Sequence, residues 1–169
     1  MSCNKNIYTV ISKDKDLSTL KTLIDLAGLK KTVKNLKCAT FFAPVNAAFL
    51  VNGNTCLAKY LVQPENRDTL RNVLLYHITG KPYLTTDLIP ASTITMKNNV
   101  TLFILAALYY PYLPTLVDKQ NASAQWEIIV PNISTDKYNY IQKINGVLLP
   151  GYIPYPIGVD SEQQVALCL

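Results

Sequence analysis

The sequence predicts an α+β domain in which helices come first and strands follow. Three observations carry this. Through the first half of the chain, apolar residues recur at three- and four-residue spacing, as on helices that bury one face. From Thr93 onward the period shortens, and β-branched and aromatic runs are broken by Asn, Gly and Pro turns. The composition, 49% hydrophobic and 16% charged over 169 residues, is that of a globular chain able to bury a sizeable core, and not of a disordered or collagen-like one. Helices and strands are grouped by type, which argues against alternating βαβ units. With no internal repeat or linker visible, residues 1–169 are expected to form one domain.

Leu17, Leu20, Leu23, Ile24 and Ala27 mark the first helical stripe, and Gly28 follows as its stop. Leu29, Val33 and Leu36 form the inner face of a shorter helical stretch, with Lys30, Lys31, Lys34 and Lys37 turned outward. Residues 39–43 are a continuous apolar run closed by Pro44, the pattern of a buried strand. Asn46 is placed to cap a helix beginning at Ala47-Ala48-Phe49. Gly53-Asn54 reads as a turn, and Leu57, Tyr60 and Leu61 as a helix. Pro64 suits the first position of a longer helix, on which Leu70, Val73, Leu74 and His77 share one face until Gly80. Tyr76 and His77 then fall in its last turn. Strands are expected at 93–96, 100–105, 126–130 and 147–149, with turns at Lys97-Asn98-Asn99 and Asn145-Gly146. Residues 106–125 read as a Tyr/Pro-rich insertion, a long loop or projecting hairpin, and 158–169 as a tail.

The net charge of +5 is local: residues 1–37 hold eight Lys and three Asp, and the remainder balances. That distribution argues against a nucleic-acid-binding surface. A solvated helical face is the plain reading; if the face binds anything, it is an anionic lipid or polysaccharide, through Lys30, Lys31 and Lys34. Cys3, Cys38, Cys56 and Cys168 form no C-x-x-C pair, and with a single histidine they offer too few ligands for zinc. Among the possible pairings, Cys3 with Cys168 is the simplest, because termini often meet; the alternative is four free thiols with Cys38 and Cys56 in the core. The longest apolar run, 102–117, is broken by Pro111 and Pro114 and is too short for a membrane span. The opening Met1-Ser2-Cys3-Asn4-Lys5-Asn6 shows no apolar signal region. There is no G-x-S-x-G, and no Cys stands in a recognisable catalytic context, so neither an enzyme nor a cofactor is expected. His77, on an apolar face, reads as a hydrogen-bonded core residue with Asn46 as a conceivable partner.

Three ordered segments resemble the fasciclin domain family. Thr40-Phe41-Phe42-Ala43-Pro44-Val45-Asn46-Ala47-Ala48-Phe49 is similar to the family's first motif, T-V-F-A-P-T-(N/D)-x-A-F. Leu70-Arg71-Asn72-Val73-Leu74-Leu75-Tyr76-His77-Ile78 resembles its L-x-x-x-L-x-Y-H-(I/V) helix, and Asn145-Gly146-Val147-Leu148 the start of N-G-V-I-H-V-I-D. The resemblance covers residues 6 to about 157. It implies a wedge of β-strands flanked by N-terminal helices, in a non-catalytic adhesion or ligand-recognition module of secreted, cell-surface or matrix proteins. It also implies two adhesion sites, the Tyr-His pair at Tyr76 and His77 and the Asp-Ile pair at Asn132 and Ile133. The second lacks its carboxylate, and a neutral amide is a poor ligand for the divalent cation of integrin-type receptors, so Asp-dependent integrin binding is disfavoured.

Leu108-Tyr109-Tyr110-Pro111-Tyr112-Leu113-Pro114 is the most individual stretch, with rigid amphipathic rings suited either to the domain's own core or to an exposed contact patch. Sequons stand at Asn99, Asn121 and Asn132, a number close to chance, and a glycan on Asn132 would cover the Asp-Ile position. A recognition module with an unidentified protein or surface ligand is the leading expectation. The alternatives are a carrier for an apolar ligand, with residues 100–117 lining a cleft, and a structural component of a particle or virion surface.

Overall fold

The computed structural model describes residues 6–51, 55–105, 114–119, 125–136, 138–155 and 168. Helix α1, Ile7–Lys13, is capped by Asn6, whose side-chain oxygen accepts from the Thr9 amide at 2.9 Å. Helix α2, Ser18–Leu26, and α3, Lys30–Lys34, are joined at Gly28, whose φ of +69° is the left-handed conformation that ends helices. Leu20, Leu23, Ile24, Leu29 and Val33 are buried, while Lys30, Lys31, Lys34 and Lys37 are exposed, as their spacing predicts.

Strand β1, Ala39–Pro44, is followed by a 3-10 turn, Asn46–Phe49, and by the short antiparallel pair β2, Leu50–Val51, and β3, Thr55–Cys56. Asn46 is the first residue of that turn, so it does not cap it. Its side chain instead accepts from the Thr19 amide and donates to the Lys15 carbonyl and the Ser18 hydroxyl, each at 3.0 Å, and so caps α2 from a distance. Helix α4, Leu57–Leu61, and a 3-10 turn at Pro64–Asn66 lead into α5, Arg67–Leu75. The last strands are β4, Ser92–Thr95, β5, Thr101–Leu105, β6, Thr115–Val117, β7, Gln125–Asp136, and β8, Asn139–Ile144.

Among the described residues six strands form a sheet in the order β1-β8-β7-β6-β5-β4, parallel between β1 and β8 and antiparallel elsewhere. Residues 77–79 bridge its two ends: Phe42 N donates to His77 O (2.8 Å), Thr79 N to Thr40 O (2.9 Å) and Lys97 N to Ile78 O (2.7 Å). The sheet encloses one core, which includes Phe42, Tyr76, Leu102, Ile104, Leu116, Ile144 and Leu148. The helices pack a second core on its outer side with Phe41, Ala43 and Ile141. Phe41 and Phe42 thus face opposite cores, which is why β1 reads as an unbroken apolar run.

Two sequence expectations are corrected, on β7 and on residues 147–149, and two strands that the spacing does not mark are present. Residues 115–117, within the stretch read as a long loop or projecting hairpin, are a strand that pairs with β5 and β7, because Leu116 fills the inner core. β7 continues past Val130 to Asp136 through three register shifts, which hide its alternation. β8 has no strand-like alternation because it is buried on both faces, its polar residues individually partnered. Residues 147–149 are irregular. Gly53-Asn54 and the 158–167 part of the tail lie outside the described residues.

Cys56 and Cys168 form a disulfide across 112 positions, with a Cα–Cα distance of 5.8 Å. The Cys3–Cys168 pairing is therefore wrong, and so is the picture of four free thiols. Cys38 is a free, exposed thiol and not a core residue, and Cys3 lies outside the described residues.

Candidate functional site

His77 sits where the three sequence motifs meet. Helix α5 ends at Leu75, one turn earlier than its apolar spacing suggests, so Tyr76 and His77 leave the helix and lead into the bridging segment. The His77 ring takes over the helix end: Nδ1–H donates to the Val73 carbonyl at 2.8 Å, four residues back. Nε2 accepts from the Leu148 amide at 3.0 Å. A carbonyl only accepts and an amide only donates, which fixes a neutral ring protonated at Nδ1. Burial pushes its pKa down to about 4, against the raising effect of the Val73 carbonyl. Asn46, the partner suggested by sequence, is occupied at α2.

Tyr76 is equally enclosed, its hydroxyl donating to the Thr101 carbonyl at 2.8 Å. Both rings are essentially without solvent exposure, so neither presents a surface for the contact role that the resemblance implies. On the other side of His77, Asn145 accepts from the Glu127 amide at 2.8 Å and fixes the turn. Gly146 lies under the Trp126 indole: a β-carbon there would come within 2.0 Å of the ring. Trp126 Nε1 donates to Asp118 at 3.1 Å, and the same carboxylate oxygen accepts from the Leu149 amide at 3.1 Å.

Asn132 lies in a bulge of β7 at φ +57°, a conformation that Asn tolerates better than most residues. Its side-chain oxygen accepts from the Thr85 amide (2.9 Å) and from Gln142 (3.0 Å), and its nitrogen donates to the Thr85 hydroxyl (3.0 Å). Gln142 returns a bond by accepting from the Asn132 amide at 2.7 Å. Asn132 is thus a structural node that ties β7 to β8 and to the 85–87 turn, and Ile133 packs partly against the helical core. What the bulges leave outside is a ridge just before it: Ile129 is 45% and Val130 41% exposed, followed by exposed Pro131. Tyr109, Tyr110 and Tyr112 lie outside the described residues.

The lysine face has its own order. Lys30 and Lys34 both lie over the Tyr8 ring, 5.2 and 5.7 Å from its centroid. Tyr8 donates to Asp25 at 2.7 Å, and burial with that carboxylate's hydrogen bond and charge pushes its pKa up to about 12. Asp14 and Asp16 are turned away to a third cation, Lys143 of β8, at 2.7 and 3.1 Å. Burial would lower the Lys143 pKa; the two carboxylates outweigh it and hold it above its ordinary value.

The sequence profile of the Fasciclin domain matches residues 15–150. The chain belongs to this family. Human periostin is 29% identical over 94 residues, which are 56% of this chain and 11% of periostin. A solved FAS1 domain pair of the insect cell adhesion molecule fasciclin I superposes with a TM-score of 0.71 at 15% identity, covering 86% of this chain and 51% of that one. The chain thus spans about half of the solved relative and a small part of periostin. In this fasciclin domain the three motifs interlock through Phe42, Ala43, Pro44, His77, Gly146 and Val147 in the interior, with Asn145 fixing the turn from the exposed side. The residues that sequence reasoning missed, Asp118, Gln142 and Lys143, are buried polar groups without a local pattern. Among the described residues no three His, Cys, Asp or Glu side chains gather as a metal site, and no helix is long and apolar enough to cross a membrane.

Proposed function

We propose that this fasciclin domain is a non-enzymatic adhesion or recognition module, acting outside the cell or on a cell or particle surface, and that it meets a protein partner through the ridge of β7. The observation that carries this is the pairing of Ile129 and Val130 on the outside: on a regular strand one of them would point inward, and the bulge turns both toward solvent. The name of the solved relative, a cell adhesion molecule, supports the same reading, and a disulfide fits an oxidising compartment. The residues offered to a carrier's cleft do not favour that alternative, since Leu102, Ile104 and Leu116 are fully buried in the inner core. The test is cell attachment to the immobilised domain. The Ile129→Ser, Val130→Ser double variant is expected to lose attachment at unchanged Tm; undiminished attachment would remove the ridge from the mechanism.

A second reading rests on Lys30 and Lys34, gathered over one ring beside Lys31; of the segment's acidic residues Asp14 and Asp16 are engaged by Lys143, and Asp25 accepts from that same Tyr8 and pairs with Lys21. We propose weak binding of anionic lipid or polysaccharide there. Replacing Lys30, Lys31 and Lys34 by Gln is expected to lower the salt concentration at which the domain leaves a heparin column; an unchanged elution would show that the charge only solvates the surface.

A further inference from the structure

Strand β4 is an end of the sheet, and its outer edge starts a ladder that it does not finish. Lys97 N donates outward to Ile78 O at 2.7 Å, whereas Met96 N donates inward to Val100 O at 3.0 Å. Backbone groups on one edge of a strand recur every second residue, so Thr95 and Thr93 face the same side as Lys97. The bridge between Thr79 and Met96 closes the first rung. Beyond it the chain turns away through Gly80, Lys81 and Pro82, and the Thr93 N–H and C=O and the Thr95 N–H have no partner among the described residues.

The space left open is a groove of about 500 Å³, bounded on one side by Thr93 to Lys97 and on the other by Gly80, Lys81 and Tyr83. Its far wall cannot slide in to fill it. Tyr83 N is held by the Thr40 hydroxyl at 2.7 Å and Tyr83 O by Gln142 at 3.0 Å, which anchors that wall to β1 and β8. Both charged residues of the groove are cationic, Lys81 and Lys97, and its lining holds no carboxylate. A second copy adding edge to edge would set lysine against lysine, the usual device against self-association of open strands.

We propose that this edge is a strand-addition site for an extended acidic segment of a partner protein, which would complete the ladder at Thr93 and Thr95 and place its carboxylates near Lys81 and Lys97. The surface is separate from the β7 ridge, so either can fail without the other.

The experiment titrates the ¹⁵N-labelled domain with an end-blocked hexapeptide alternating Glu and Val. Chemical-shift changes confined to the groove and slowed amide exchange at Thr93 and Thr95 are expected, with affinity falling about tenfold on going from low to high salt. Thr93→Pro removes an outward N–H that the β4–β5 ladder does not use, and is expected to abolish binding while the Tm is kept. A Lys81→Glu, Lys97→Glu variant, which leaves the backbone untouched, is expected to exchange its preference for a Lys/Val peptide. The Ile129→Ser, Val130→Ser variant is expected to bind the acidic peptide as the parent does. The proposal is overturned if no peptide binds at about 1 mM, if shifts map elsewhere, if Glu and Lys peptides bind alike, or if the edge is protected only in a concentration-dependent dimer.

Discussion

Acid should weaken the fold through one imidazole, in a pH range that the carboxylates do not use. His77 is the only histidine in the chain, and its folded-state pKa is pushed from 6.5 down to about 4 by burial. The unfolded chain takes up a proton as pH drops below 6.5, while the folded ring stays neutral until about 4. The stabilisation is therefore complete above 6.5, is lost as pH falls from there to about 4, and does not change further below. The full difference corresponds to about 3 kcal/mol, of which about 2 kcal/mol is lost between pH 7 and pH 5. Geometry supports the direction: protonating Nε2 would set its N–H against the Leu148 amide, turning a hydrogen bond into a donor–donor contact. Carboxylates with lowered pKa, such as Asp25, lose their contribution only below their ordinary value of 3.8. Urea unfolding at pH 7, 6 and 5 measures the loss, and the imidazole resonances report the folded pKa directly. His77→Gln, although less stable throughout, is expected to show a flatter profile over the same range. A folded-state titration between 6 and 7, or a parent profile flat from pH 7 to pH 5, would refute the reasoning.

Three further outcomes follow from the same contacts. Gly146→Ala drives a β-carbon into the Trp126 ring and is expected to cost about 3 kcal/mol, with a red-shifted emission from the chain's single tryptophan as the indole leaves Asp118. Cys168→Ser opens a closure spanning 112 positions and is expected to cost about 5 kcal/mol by chain entropy, matched by the shift that a reductant produces in the parent's unfolding midpoint. Asn132→Asp keeps the acceptor for Thr85 and Gln142 and is expected to change stability by less than about 1 kcal/mol, whereas Asn132→Ala loses those bonds and strains a left-handed residue at about 3 kcal/mol; thermal unfolding of the two side by side distinguishes a bulge node from an ordinary surface position.

The helical half of the fold was legible because each helix there buries a stripe: Leu20, Leu23 and Ile24, then Leu29 and Val33, follow the period that a sequence displays. β8 was illegible for the opposite reason. Asn139, Gln142 and Lys143 are polar residues at buried positions, and what makes them tolerable is remote: Ala39 and Leu36 for the first, Tyr83 and Asn132 for the second, Asp14 and Asp16 for the third. No local pattern announces a partner that is 100 or more residues away, as for Asn139 and Ala39. The disulfide escaped for a related reason, since proximity of termini is a weak guide when the partner of Cys168 is set by the β2–β3 pair.

The candidate contact sites divide along the same line. Tyr76, His77, Asn145 and Gly146 were visible because they belong to motifs, and they form the motifs because they lock β1, the end of α5 and the 145–149 segment to one another. Tyr76 and His77, hydrogen-bonded and without exposed area, have nothing left to offer a partner, so the proposed recognition surfaces use groups that the interlock leaves free. Two such sets are on the surface: the apolar ridge that bulges turn outward on β7, and the edge of β4 where the ladder stops at Gly80. Both are consequences of how the sheet ends or bends, and neither depends on the identity of an interior motif residue. If the two proposed surfaces select partners, substitutions at Ile129, Val130, Lys81 or Lys97 are expected to alter partner choice without disturbing the His77 junction that holds the fold.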